Sequence, residues 1–189
     1  MSKEFLINEL ENLGTASRVN RERVSNLVLD NPKLLPHLIE IVFEINNKLS
    51  IKAAWVLELV CEKHIDWLAP HLNELSLNIG KVYFGGAVRS LSKICNFLAI
   101  AYTSRTSNLI QIFLTESHIK AIIEVGFDWM ISPHKVAVKA YSMNALYIFG
   151  KNSDWVHQEL KLIIKQNIMK ESAAYKARGK MTLALINKN

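Results

Sequence analysis

Apolar residues recur along this chain at three- and four-residue spacing, interrupted by short polar stretches that hold Gly, Pro, Asn or Ser. Spacing of that kind places one apolar stripe on each of a series of helices. The pattern predicts a first helix over about 3–13, stopped at Gly14, where a left-handed residue costs nothing sterically. Thr15 or Ser17 caps the next, with Val19, Val24, Leu27 and Val28 on one face. Asn31-Pro32 opens a third that carries Leu34, Leu35, Leu38, Val42 and Ile45, since proline suits a first helical turn. Ser50 is the expected cap of a fourth, carrying Ala53, Trp55, Leu57, Leu59, Val60 and Cys61, and Asp66 that of a fifth running to about Leu77. Gly80 and Gly85-Gly86 mark a turn before a long helix to about Tyr102. Thr103-Ser104-Arg105-Thr106-Ser107-Asn108 reads as a loop, and Leu109 to Leu114 as a short extra helix. Further helices are expected at about 117–131, 134–149, 153–169 and 172–187, separated by Ser132-Pro133 and Asn152-Ser153. No segment shows sustained strand alternation with hairpin turns, so the expected class is all-α.

The helices are also self-similar. Lys-Ala, five residues, Leu occurs as Lys52-Ala53…Leu59, Lys139-Ala140…Leu146 and Lys176-Ala177…Leu183. Lys63-His64-Ile65-Asp66-Trp67…Leu72 matches Lys151-Asn152-Ser153-Asp154-Trp155…Leu160 at an offset of 88 residues. Ala87-Val88-Arg89-Ser90-Leu91-Ser92-Lys93-Ile94-Cys95 matches the stretch from Ala53 to Cys61 at an offset of 34. The unit is thus two helices, and a helix pair buries its apolar faces only by stacking on the next pair. The spacing places a small Ala where the second helix approaches its partner and a Leu two turns on between layers. One departure is Lys93, where the other units have Leu.

These segments resemble HEAT repeats of the armadillo-like class over roughly residues 32–189. The resemblance implies a right-handed α-α superhelix of about four to five helix pairs in a single domain, 1–189. Residues 1–31 fit it less well and read as an N-terminal cap, and 103–117 as an insertion within one repeat.

Composition narrows the classes. Half the residues are hydrophobic, enough for a sizeable core, while 7 Gly and 4 Pro are few for an all-β chain. The amino-terminal segment alternates charged and apolar residues, with no apolar run of the secretory kind, and no apolar stretch reaches membrane-spanning length. Two cysteines, Cys61 and Cys95, make no disulfide framework, so a cytoplasmic location is expected. The net charge of +6 is uneven: residues 151–189 hold 8 Lys and Arg against 3 Asp and Glu, and the rest is nearly balanced. That segment reads as a solvated helix pair, or as a patch for an acidic partner or nucleic acid.

The chemical signals are sparse. Asp-Trp recurs at Asp66-Trp67, Asp128-Trp129 and Asp154-Trp155. The first and third fit helix starts, where Asp accepts backbone N–H bonds and Trp covers the pair below, whereas Asp128 falls inside a helix. Cys61 and Cys95 occupy equivalent repeat positions among apolar residues and read as buried and inert. His71 and Glu74 share a helix face, but the His-Glu-x-x-His motif is absent and no metal or cofactor is expected. Gly85-Gly86 before Arg89 lacks a phosphate-loop pattern and reads as a turn. A Gly-x-Ser-x-Gly elbow and the Ser-Ser-x-Met-Pro-x-Lys-x-Asn loop of fumarase-type lyases are missing as well.

Trp55 and Arg89 are equivalent at the 34-residue offset. In HEAT-like solenoids the second helices line the concave face, so the resemblance puts both near it. There they form a cation–π pair or a platform for a partner, with Glu62 alongside. The expected function is accordingly a non-catalytic binding or scaffold module for a protein partner, with Trp55, Glu62 and Arg89 as candidate contacts. The alternative is a nucleic-acid binder or a HEAT-like DNA glycosylase for alkylated bases, which carries Trp, Asp and Arg on its concave face. Here no Asp lies in the second helices at 50–64, 84–101 or 134–149, so Glu58 or Glu62 would have to substitute.

Overall fold

Caps decide where the helices begin and end. The computed structural model describes residues 2–188, and these form eleven α-helices with no strand among them. Helix α1 (Lys3–Glu11) starts at Ser2, whose hydroxyl accepts the Phe5 N–H. Gly14, at φ 71°, turns the chain out of it. Ser17 caps α2 (Arg18–Asp30) by accepting the Asn20 N–H at 3.3 Å. Pro32 opens a 3-10 turn that runs into α3 (Leu35–Val42). The chain continues through α4 (Leu49–Lys63), α5 (Leu72–Asn78), α6 (Gly85–Tyr102), α7 (Leu109–Phe113), α8 (Glu116–Ile131), α9 (Val136–Phe149), α10 (Asp154–Asn167) and α11 (Ala173–Ile186).

Three starts differ from the sequence expectation. Ser50 lies inside α4 and is buried; the side chain of Asn47 accepts the Leu49 N–H instead, at 2.9 Å. Asp66 sits in a 3-10 segment, Ile65–His71, that precedes α5. Pro70 lies inside that segment, has no N–H to give and clashes with the preceding turn of an α-helix, so α-geometry resumes only beyond it. Asp154 is the first residue of α10, with Ser153 at the cap position, so its charge meets the positive end of the helix dipole.

The chain forms two compact units, Met1–Ile94 and Cys95–Asn189. In the first, α3 packs against α4, while α1 lies on α3 and α2 on α4. α1 also packs on α4, so the apolar faces of the four helices cover one another. Leu6, Leu10, Val24, Val28, Leu38, Ile41, Val56 and Leu57 fill the layer between them. Glu4, Asn8 and Glu11 of α1 face solvent. In the second unit α8 packs on α9 and α10, and α9 also on α10 and α11. Its core is built from Ile122, Met130, Val138, Met143, Leu146, Val156, Leu160, Ile164 and Tyr175. The short α7 is not among the helices that pack most extensively on one another.

The small residues at the closest helix approaches are only partly those of the Lys-Ala pattern. Ala53 is fully buried, but Ala140 is half-buried and Ala177 exposed. The buried arc of α9 runs through Val138, Lys139, Ser142, Met143, Ala145 and Leu146, and leaves Ala140 at its edge. Glycine takes the tight positions instead. A Cβ on Gly126 of α8 would lie 3.2 Å from Leu146, and one on Gly179 of α11 would lie 2.9 Å from Ile164 of α10. Gly179→Val is expected to lower stability by about 1–3 kcal/mol through overpacking. Ala140→Leu should change it by less than about 1 kcal/mol, as substitutions outside a packed core do. Thermal melts of the two variants check both.

Candidate functional site

On α4, Trp55, Glu58 and Glu62 succeed one another at three- and four-residue spacing, and on α6 so do Gly86, Arg89 and Lys93. Each set therefore shares one helix face. The two faces meet as a ladder. At its first rung a Cβ on Gly86 would stand 2.7 Å from Ile51 Cγ2 and 3.4 Å from Trp55 Nε1. The missing side chain of Gly86 is what lets the half-buried Trp55 indole lie against the start of α6.

The second rung is Glu58, 1% exposed. Its Oε2 accepts from Arg89 Nη1 at 3.0 Å and from Ser90 Oγ at 2.7 Å, and its Oε1 from Lys93 Nζ at 2.9 Å. Lys93 also reaches Glu62 Oε2 at 3.2 Å, and Glu62 lies 3.9 Å from Arg18, itself paired with Glu22. A buried carboxylate persists only when paired and hydrogen-bonded, and here both oxygens are engaged. Burial alone would depress the Lys93 ammonium, but its bonds to Glu58 and Glu62 outweigh that and hold its pKa above the ordinary value.

The three residues expected to contact a partner are thus brought onto one surface of the first unit. Trp55 is half-buried, and the Glu62 and Arg89 side chains are 37% and 38% exposed. The Arg89 guanidinium is committed to Glu58. Glu58 entered the sequence reading only as a stand-in for a missing Asp. The signal that locates it was the departure at Lys93, because a lysine in a leucine position of a packed helix requires an acid nearby.

The remaining chemical signals separate. Trp67 stacks on His64 with ring centroids 4.7 Å apart, and Trp129 is buried. Trp155, expected to cover the pair below, is instead 56% exposed and 5.8 Å from Phe127. Asp128 faces solvent from the middle of α8. Both cysteines are free and buried; burial raises the Cys61 thiol beyond its ordinary range and pushes that of Cys95 up to about 12, so neither is a thiolate near neutral pH. His71 Nδ1 lies 3.8 Å from Glu74 Oε2, and no group of three or more potential metal ligands occurs among the described residues. No helix among them is long and apolar enough to cross a membrane. The basic carboxy-terminal segment shows Lys165 of α10, Lys180 of α11, and Lys170 and Lys188 of the turns that follow these helices to solvent, while Lys139 of α9 is buried and paired with Glu171.

The second unit holds one feature that sequence reasoning missed. A cleft of about 490 Å³ opens between the end of α6, the face of α8 and the α9–α10 junction. Tyr102, Ile119, Ile123, Ile148, Phe149 and Trp155 supply its apolar lining, and Glu116, Glu124, Lys120 and Lys151 its charges.

No curated protein and no solved structure matches the chain. A family model described as HEAT repeat domain matches residues 8–184, nearly the whole chain, and agrees with the stacked helix pairs of both units. The chain belongs to the HEAT repeat family.

Proposed function

We propose that this chain is a non-catalytic binding module whose α4–α6 face, around Trp55, Glu62 and Arg89, receives a protein partner. HEAT repeat domains generally act as protein-interaction scaffolds and are typically non-enzymatic. The observation that carries the reading is the buried Glu58, which ties Arg89 and Lys93 in place beside a half-buried indole. Side chains held in one geometry before binding lose little freedom on association, and Trp and Arg are the types that dominate interface energetics. Two free thiols fit a reducing compartment, and the cytoplasm is the proposed location.

The test uses immobilised wild-type chain beside the double variant Trp55→Ala, Arg89→Ala, with helicity and melting checked first. Expected is a partner captured by the wild type whose affinity falls by about 30-fold or more in the folded variant, the loss typical of an interface hot spot. Full retention of every partner would move the site off this face. Labelled duplex titrated at two salt concentrations tests the other class. The exposed lysines predict weak binding that disappears at about 200 mM salt. Tight binding there, or excision of an alkylated base, would favour the glycosylase-like alternative.

A further inference from the structure

Helix α4, packed by α2 and α3 and tied through Glu58 to α6, buries nine of its fifteen residues, whereas α11 buries four of fourteen. Those four, Tyr175, Gly179, Thr182 and Ile186, form one stripe at three- and four-residue spacing on the side of α9 and α10. Two residues round from it, on the opposite side of the helix, stands the exposed row Ala173, Ala177, Lys180 and Ala184, with Met181 and Leu185 beside it. Helix α10 repeats the arrangement. Val156, Leu160, Ile163 and Ile164 are buried on the side of α8 and α9, and the opposite row is Gln158, Leu162 and Lys165, continued by Met169 in the turn that follows. Leu162, Met169 and Met181 are each more than half exposed. Gly179 draws the two helices together, since a Cβ there would stand 2.9 Å from Ile164. The two outer rows therefore flank one shallow furrow, with alanines along its α11 side and Met and Leu side chains at its edges.

The charge of this face has one sign. From Lys161 to Lys188 the helix pair carries seven Lys and Arg against one acid, Glu171, which is committed to Lys139 of α9. The other two acids of the segment, Asp154 and Glu159, stand in the first two turns of α10. No ion pair among the described residues holds Lys165, Lys180 or Lys188. That sign decides the occupant. A second copy seated on the same face would set lysine against lysine. A phosphate backbone would use the lysines and leave the Met and Leu edges in water. A bilayer takes up side chains long enough to enter it, which alanines are not. A helix with one apolar stripe and acidic flanks uses every feature: the alanines let it come close, the methionines adapt to its stripe, and the lysines pair its carboxylates.

We propose that the outer face of α10 and α11 docks an acidic amphipathic helix of a protein partner. This face belongs to the second unit alone, so it stands apart from the reading of the α4–α6 surface. Lys165, Lys180 and Met181 are exposed, so their replacement leaves the fold intact.

The probe is a labelled synthetic peptide of three heptads, with leucine at a and d, glutamate at e and g and alanine elsewhere, titrated by fluorescence anisotropy. The full chain should bind it with a Kd of roughly 10–100 µM, more weakly as salt is added, and with a rise in helicity on mixing. A peptide of the same composition in scrambled order keeps the charge and loses the stripe, and should bind at least about tenfold more weakly. The double change Lys165→Glu, Lys180→Glu, and separately Met181→Asp, should each raise the Kd by roughly tenfold, with circular dichroism confirming each fold. No binding at about 500 µM, a scrambled peptide bound as tightly, or variants that bind like wild type would each overturn the proposal. Uptake of the wild type, but not of the variants, by vesicles of phosphatidylcholine and phosphatidylserine that the peptide fails to displace would also overturn it, and would assign the face to a lipid surface.

Discussion

Glu58→Ala is expected to destabilise the first unit by about 3–5 kcal/mol, the cost of removing one member of a buried charge cluster. Glu58 is 1% exposed and accepts from Arg89, Ser90 and Lys93. Without it, Lys93 keeps Glu62 as a partner and Arg89 swings into solvent, which puts the loss near the lower end of that range. The double change Glu58→Leu, Lys93→Leu should recover most of it, because an apolar pair of similar volume avoids the desolvation of both charges. The aligned position in α4 is Leu59, so the repeat itself accommodates leucine there. Alkaline pH supplies a second readout. The Lys93 pKa is raised in the folded state, so its contribution is complete below its unfolded value of 10.5 and is lost as pH rises through the folded value. The gap between wild type and Glu58→Ala should therefore narrow above about pH 10.5. Urea unfolding at neutral and at alkaline pH measures both, and a gap under about 1 kcal/mol at neutral pH would show the cluster to be a solvated surface network.

Helix positions were legible in the sequence wherever a local signal acts alone. Gly14 at positive φ, Ser17 as a cap, and the polar run before α7 each fix a boundary without help from the rest of the chain. The misplaced starts are those where two signals compete. Ser50 and Asn47 both suit a helix start, yet Ser50 is buried inside α4, Lys48 holds the cap position, and the Asn47 side chain accepts the Leu49 N–H. Asp66 favours a helix start while Pro70 forbids the turn that would follow. The repeat was legible, but the tight points between helices were not. Ala140 and Ala177 keep the period of the pattern, yet Ala140 lies at the edge of the buried arc of α9 and Ala177 is exposed, while Gly126 of α8 and Gly179 of α11 stand at the tight points. Of the site, Trp55, Glu62 and Arg89 share a surface as the alignment implied, but registers across two helices are tertiary facts. Trp55 sits opposite Gly86 and Arg89 opposite Glu58. The cleft was invisible for the same reason, since its lining comes from four separate helices.

Tyr175 divides into two opposite expectations, one for its ring and one for its hydroxyl. Carried by α11, it is the largest fully buried side chain among the described residues, with the ammonium of Lys139 of α9 5.8 Å from the ring centroid. Tyr175→Ala removes the ring and leaves a cavity beside Gly179 that a close-packed interior fills poorly, at a cost of about 3–5 kcal/mol. The phenolic oxygen is buried with no hydrogen-bond partner, so it contributes an uncompensated desolvation cost. Tyr175→Phe keeps the ring, drops that cost, and should raise stability by up to about 1 kcal/mol. Ionisation separates the two effects further. Burial, and then the Glu171 carboxylate, push the phenol up to about 12 from an ordinary 10.0. The unfolded chain thus ionises first, and wild-type stability falls as pH climbs from 10 towards 12. Phenylalanine has no proton to lose, so the advantage of Tyr175→Phe should be larger at pH 11 than at pH 7. Chemical denaturation of the three chains at both pH values gives the answer. A Phe variant less stable than wild type at pH 7 would mean that the hydroxyl is hydrogen-bonded in solution, through a water seated between α9 and α11.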